Sequence, residues 1–173
     1  MYADFYFKDN IEYKIMTLIY LSLGSNIGNR RKNLEKAIAE LGNNNIKKIR
    51  ISSFYETAPI GPKQRNFYNI AGKFQTNLTP QDLLKTVKQI EEYLGRTKTY
   101  HWGPRVIDID ILFYGKQIVK TKNLIIPHKE IINRAFVLVP MNEIAPKFVH
   151  PRENKRITTL LRLLVDKSYV KQI

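Results

Sequence analysis

Apolar residues recur along this chain in two rhythms, and their alternation marks out its elements. Residues 18–23 alternate as a half-buried strand does, and a polar loop, Gly24 to Asn29, follows. Residues 31–41 then place Leu34, Ala37, Ile38 and Leu41 at i, i+3, i+4 and i+7, one face of a helix, with Gly42 and Asn43 as its stop. Strand-like spacing returns over 46–55 through Ile49 and Ile51, and again over 67–76. The next helix is marked at both ends: Thr79 as N-cap, Pro80 in the first position, Gly95 beyond the last turn. Leu83, Leu84, Val87, Ile90 and Leu94 form its apolar stripe. The run "VIDIDILFY", 106–114, predicts a further strand, and Gly115-Lys116-Gln117 a turn toward Ile118-Val119 and then 124–126. Helical spacing resumes over 135–144 and 157–165.

The order strand, helix, strand, strand, helix, strand is that of a split βαβ, ferredoxin-like α+β sandwich. It predicts a mostly antiparallel sheet with helices on one face and polar loops over the other, where a site can form. Fold alone does not say which site. The strand pattern starts just after Met16, so residues 16–173 are expected to form a single domain and 1–15 an N-terminal extension whose role is open.

Composition narrows the class. The chain has 173 residues, 43% apolar and 25% charged, as an ordinary globular domain has. With no cysteine, neither a disulfide framework nor a thiolate metal site can form. The N-terminus lacks the basic start and apolar core of a signal peptide, and no apolar run reaches the length of a membrane span. A cytoplasmic protein is the default expectation. The net charge is +14; residues 1–15 carry −1, which leaves +15 on the remainder. Such a surface suits a polyanion, nucleic acid or a phosphorylated small molecule, although a compositional bias toward lysine gives the same number.

Against that background the pair Asp108 and Asp110 stands out. On a strand Ile107, Ile109 and Ile111 face one way and the two carboxylates the other, roughly 7 Å apart at about 3.3 Å per residue. Two acids on one strand face repel each other. A hard divalent cation relieves that repulsion; a wet, half-exposed acidic face is the alternative. Arg105 lies three residues before the pair, and the loop leading to it supplies Arg96, Lys98, His101 and the single tryptophan, Trp102. Carboxylates for a metal beside fixed positive charge suit phosphoryl transfer. A second loop, 57–66, is flanked by Phe67 and Asn69 on one strand face; an aromatic beside an amide can stack on and read a flat heterocycle, or simply fill a core and an edge.

Taken together, "YLSLGSNIGNR", "SSFYETAPIGPKQRNFYNIAGKF", "WGPRVIDIDILFYG" and "IPHKEIINRAFVLVPMNEIAP" resemble the 6-hydroxymethyl-7,8-dihydropterin pyrophosphokinase family, in the family's order and over about residues 17–150. The resemblance implies transfer of diphosphate from ATP to the pterin hydroxymethyl group, with release of AMP, in folate biosynthesis. It implies two magnesium ions held by Asp108 and Asp110, with Arg96 and Arg105 assisting catalysis. Thr57, Ala58, Ile60, Phe67, Asn69, Trp102 and Phe136 would form the pterin pocket, Phe67 and Trp102 sandwiching the ring and Asn69 reading its edge. Lys88, Glu91, Arg96, Lys98, Trp102, Arg105, Ile111, His128, Lys129 and Arg134 would line the nucleotide site. Three loops, 24–30, 57–66 and 95–105, would close over the substrates, Gly24 and Gly28 permitting the first to move. The chain departs from the family's best-known members in having Phe67 for a tyrosine, Lys88 for a glutamine, Lys98 for an arginine and Lys129 for a tyrosine. Replacing an arginine by Lys98 turns a bidentate contact into a point charge.

Two rivals follow from the same residues. A nucleic-acid module on this fold needs aromatics on its central strands in an RNA-recognition pattern, and none is present. A metal-dependent nucleotidyl or glycosyl transferase would release a different leaving group. The expected partners are therefore ATP and the pterin, with no nucleic acid, no membrane and no obligate protein partner.

Overall fold

The computed structural model describes residues 16–97, 100 and 102–173. The extension 1–15, Lys98 and His101 lie outside the described residues, as do the expectations attached to them.

Among the described residues, six strands make one sheet. Its centre is β1 (Thr17–Ser25), flanked by β4 (Phe67–Thr76) and β5 (Asp108–Tyr114). The far edge of β4 carries β2 (Ile46–Ile51) and then β3 (Tyr55–Thr57), and β8 (Val170–Gln172) pairs with β3 outermost. Every pairing is antiparallel. A separate two-stranded ribbon joins β6 (Val119–Lys120) to β7 (Ile125–Ile126). This is the ferredoxin-like arrangement that the order of elements predicts.

Both faces of β1 are used. Ile19, Leu21 and Leu23 pack with Ile109 and Ile111 of β5 against Leu34 and Leu41 of α1 (Arg30–Asn43) and Leu83 and Val87 of α2 (Pro80–Tyr93). On the other face Tyr20, Ala71, Leu112 and Phe113 meet α3 (Ala135–Ile144) and α4 (Ile157–Leu163). The helices thus extend beyond one face. α3 is apolar nearly all round, so it must be buried on more than one side, and it takes half of the second face while the loops take the rest.

Local chemistry explains where the elements start and stop. Thr79 caps α2 as expected, its hydroxyl accepting from the Asp82 N–H at 3.2 Å. Asn29 caps α1, accepting from the Lys32 N–H at 3.0 Å. That helix runs through Gly42 and Asn43, and the turn comes at Asn45, with φ of 61°. The strand expected over 46–55 is split. The Ser52 N–H donates to the Ala71 carbonyl at 2.9 Å, but the Ala71 N–H goes to the Ser52 hydroxyl at 3.0 Å in place of a backbone carbonyl, and the chain kinks there. β5 starts at Asp108, not at residue 106, because the Val106 carbonyl accepts from the Asn33 side chain at 3.2 Å. β8 has no counterpart in the hydrophobic pattern, since a three-residue strand with two exposed side chains leaves no periodic trace.

Candidate active site

Strand register builds the site. Asp108 of β5, Gly24 of β1 and Asn69 of β4 lie in one row across the sheet, and Asp110, Ser22 and Ala71 in the next. All of them belong to the face opposite α1 and α2. Gly24 was expected to loosen a loop; it sits inside β1, paired on both sides. A Cβ on it would stand 2.5 Å from Asn69 Oδ1, so glycine is there for space. The Asn69 amide is oriented by donating to the Thr57 hydroxyl at 2.7 Å, while its Oδ1 receives no hydrogen bond among the described residues.

A cleft opens over this row. All seven residues expected around a flat ring line it: Thr57, Ala58, Ile60, Phe67, Asn69, Trp102 and Phe136. Arg105, Asp108, Asp110 and Arg134 line it too, together with Ser22 and Gly103, which the sequence did not single out. Trp102 is half exposed and holds φ of 62°, a conformation that a bulky residue adopts only when its surroundings impose it. Gly61 fixes the indole from the neighbouring loop: a Cβ there would come within 2.9 Å of the Trp102 ring.

A second cleft abuts the first. It is lined by Lys88, Ile111, His128 and Lys129, along with Leu84, Lys122 and Asn123, and it shares Asp110 with the first cleft. Glu91 and Arg96 line neither; they lie beneath the junction. Glu91, 1% exposed, accepts from the Ile109 N–H at 2.6 Å and from Lys88 Nζ at 2.9 Å, and also pairs with Arg96. Arg96 reaches on to Asp108 at 2.8 Å, and Arg105 holds the other oxygen of Asp108 at 2.6 Å. Burial raises the Glu91 carboxyl above the usual range, against the pull of Lys88, the Ile109 N–H and Arg96. Burial lowers His128.

Asp110 differs from both acids. It has no hydrogen bond or ion pair among the described residues, and its carboxyl is pushed up first by desolvation and then by Asp108, with His128, Lys88 and Arg134 pulling the other way. A half-buried carboxylate with open oxygens beside a second carboxylate is a cation-seeking arrangement. Among the described residues no three His, Asp or Glu side chains converge on one point. A pair of carboxylates is a donor set that suits magnesium, which takes one or two of them and completes its shell with phosphates and water.

The three loops are tied together by one buried side chain, Asn26, 2% exposed. Its Oδ1 accepts from the Arg105 N–H at 2.7 Å, and its Nδ2 donates to Gln64 Oε1 at 2.9 Å and to the Arg65 carbonyl at 3.2 Å. Gln64 in turn donates to the Trp102 carbonyl at 2.8 Å. Asn26 and Gln64 carry no signal in a single sequence, because an amide in a polar loop looks like any solvated one.

A sequence model of the family described as 7,8-dihydro-6-hydroxymethylpterin-pyrophosphokinase (HPPK) matches residues 20–146. The chain is 38% identical over 160 residues to the 2-amino-4-hydroxy-6-hydroxymethyldihydropteridine pyrophosphokinase of Haemophilus influenzae, covering 90% of this chain and 98% of that one. It is 43% identical over 149 residues to the folic acid synthesis protein fol1 of Pneumocystis carinii, and 48% identical over 131 residues to the bifunctional protein FolKE of Lactococcus lactis subsp. cremoris. These matches cover 86% and 75% of this chain, which spans only 20% and 38% of those longer proteins. Among solved structures, the Plasmodium falciparum HPPK-DHPS A437G crystal structure with STZ-DHP superposes with a TM-score of 0.71 at 17% identity, over 88% of this chain and 46% of that one, a likeness of fold.

Proposed function

The chain belongs to the 7,8-dihydro-6-hydroxymethylpterin-pyrophosphokinase family, and on that footing we propose that it transfers diphosphate from ATP to 6-hydroxymethyl-7,8-dihydropterin, giving the pterin diphosphate and AMP. The observation that carries the reading is the position of Asp110, common to the wall of the aromatic cleft and of the basic cleft beside it. A reaction between a ring-borne alcohol and a triphosphate needs such a junction. Residues 16–173 act in this reading as one pyrophosphokinase domain, in the cytoplasm and without an obligate partner.

In the first cleft Phe67 and Trp102 stack on the two faces of the pterin, and Asn69 offers its open Oδ1 to a ring N–H. Thr57 fixes which way that amide points. In the second, Lys88, His128 and Lys129 take the charge and the body of the nucleotide, with Arg134 facing its phosphates from the first cleft. Asp108 and Asp110 would hold two magnesium ions, which would offset the negative charge of the phosphates. The hydroxymethyl oxygen bonds to the β-phosphorus as the bond to the α–β bridging oxygen breaks; AMP departs with that oxygen, and the hydroxyl proton is lost. Arg105, on the wall of the cleft, stabilises charge on the transferring group, and Arg96, paired with the other oxygen of Asp108, assists from behind it. The joined loops keep water from the phosphorus.

The test is direct. Purified protein with ATP, magnesium and the reduced hydroxymethyl pterin should form AMP, and Asp108→Ala and Asp110→Ala should each lower turnover by about 10²-fold or more. Arg105→Ala should depress turnover more than it weakens pterin binding. Release of ADP, or of pyrophosphate with AMP left on the acceptor, would overturn the assignment.

A further inference from the structure

Thr57 and Ala58 stand at the end of β3, which is only three residues long, and the loop that follows has no ladder of its own. So short a strand is set by what grips it. On its inner side the pairs are Tyr55 with Asn69 and Thr57 with Phe67. On its outer side β8 pairs Tyr55 with Gln172 and Thr57 with Val170, and the bonding continues past both ends: the Ala58 N–H donates to the Tyr169 carbonyl, and the Ile173 N–H to the Phe54 carbonyl, each at 3.0 Å. A third grip comes from α3. The Glu143 carboxylate accepts from the Ser53 N–H at 2.9 Å, the Ser53 hydroxyl at 3.1 Å and the Tyr55 hydroxyl at 2.9 Å. Burial, and then Glu143 itself, push the Tyr55 phenol up to about 12, so it remains a donor.

The helix makes this more than a fastening. Phe136, which lines the aromatic cleft from α3, lies seven residues before Glu143, two turns away on the same face of that helix. Glu143 therefore ties the wall that bears Phe136 to the wall that bears Thr57 and Ala58, while lining neither cleft itself. We propose that Glu143 is a positioning residue for pterin recognition: with β8 as its counterpart on the outer edge, it sets the width of the cleft and the register that aims the Asn69 amide.

This rests on the pterin reading above, and the experiment separates the two. Steady-state constants for pterin and for ATP are measured on the parent, Glu143→Ala and Glu143→Gln. Expected is a rise in pterin KM of about tenfold in Glu143→Ala, as for a displacement remote from the chemistry, with ATP KM and kcat within about twofold. Glu143→Gln, which keeps one acceptor oxygen, should fall between. Lys171→Pro probes the same bracket from the solvent side and keeps the question open to refutation should Glu143→Ala fail to fold. The side chain of Lys171 is exposed, but its N–H serves the β3 ladder opposite Glu56. It should raise pterin KM alone. Pterin KM unchanged in Glu143→Ala and Lys171→Pro, or pterin and ATP constants that worsen in parallel, overturns the inference and leaves the function standing. A parent that makes no AMP with the pterin overturns both.

Discussion

Removing the side chain of Asn26 is the sharpest way to ask whether the three loops act as one. Asn26→Ala deletes the acceptor for the Arg105 N–H and the donor to Gln64 and Arg65, three contacts of 2.7, 2.9 and 3.2 Å. Each neutral bond contributes about 1 kcal/mol net, and all three are only part-buried, so water can reach the groups left behind. The assembled loops should lose about 3 kcal/mol in all. Little of this will show in global unfolding, because loop segments open at the low end of the stability range. It should appear in kcat/KM, where about 3 kcal/mol corresponds to roughly 10²-fold. Asn26→Asp keeps the acceptor for Arg105 but turns a carboxylate oxygen toward Gln64 Oε1 and the Arg65 carbonyl, so it too should be impaired. Gln64→Ala loses the bond to Asn26 and the one to Trp102, and because the two residues share a bond, the double variant should be less impaired than the product of the single ones. The readout is AMP formation at varied pterin, with a melting curve as control. An Asn26→Ala protein that folds and keeps kcat/KM within twofold, or full additivity with Gln64→Ala, refutes the coupling.

Two other outcomes are expected. Asp110→Asn should raise stability in EDTA by about 1 kcal/mol, since two carboxylates about 7 Å apart repel each other even when partly screened, and should nearly abolish AMP formation; a lower melting temperature in EDTA would count against an unsatisfied carboxylate there. His150, 4% exposed, accepts from the Arg152 and Glu153 N–H groups at 3.2 and 3.1 Å through Nδ1, edge-on to Phe113. Burial lowers its pKa, so the stability it contributes is complete above the unfolded-state value near 6.5 and is lost as pH falls through the folded value. Denaturant unfolding from pH 7.5 to 5 should show a slope that His150→Gln reduces.

The core was legible in the sequence where one periodicity ruled a whole element. The stripe of α2 from Leu83 to Ile90 and the strand Phe67–Thr76 emerge with the expected bounds, because apolar spacing and caps agree there. The acids could be read as a pair on one face for the same reason. Legibility failed where side chains replaced backbone as hydrogen-bond partners. Ser52 splits a strand with its hydroxyl, and Asn33 shortens β5 by claiming the Val106 carbonyl. Glu91 is the instructive case at the site. Expected to line a nucleotide site, it lines neither cleft, because its carboxylate already holds the Ile109 N–H, Lys88 and Arg96 and is committed to the junction between the clefts. β8 was invisible because its pairing is backbone and two of its three side chains, Lys171 and Gln172, are polar and exposed.

The site's economy lies in the smallness of β1. On the open face that strand presents Ser22 and Gly24 beside Asn69, Asp108 and Asp110 of its neighbours, so the floor of the cleft is low where the flanking strands carry chemistry. Asn69 and Asp108 lie on either side of Gly24, two strand spacings or about 10 Å apart. Under the proposed reading that interval is what a bicyclic pterin needs. Its amide-bearing edge meets Asn69 at one end, and its hydroxymethyl arm ends at the carboxylate pair at the other. A side chain at residue 24 would strike the Asn69 oxygen and turn the amide off Thr57, closing the floor at the midpoint of the substrate. The geometry that pairs ring with phosphate is thus fixed by strand spacing in a rigid sheet. What the loops then supply is enclosure, and that is why their joint at Asn26 should affect rate while the sheet keeps its fold.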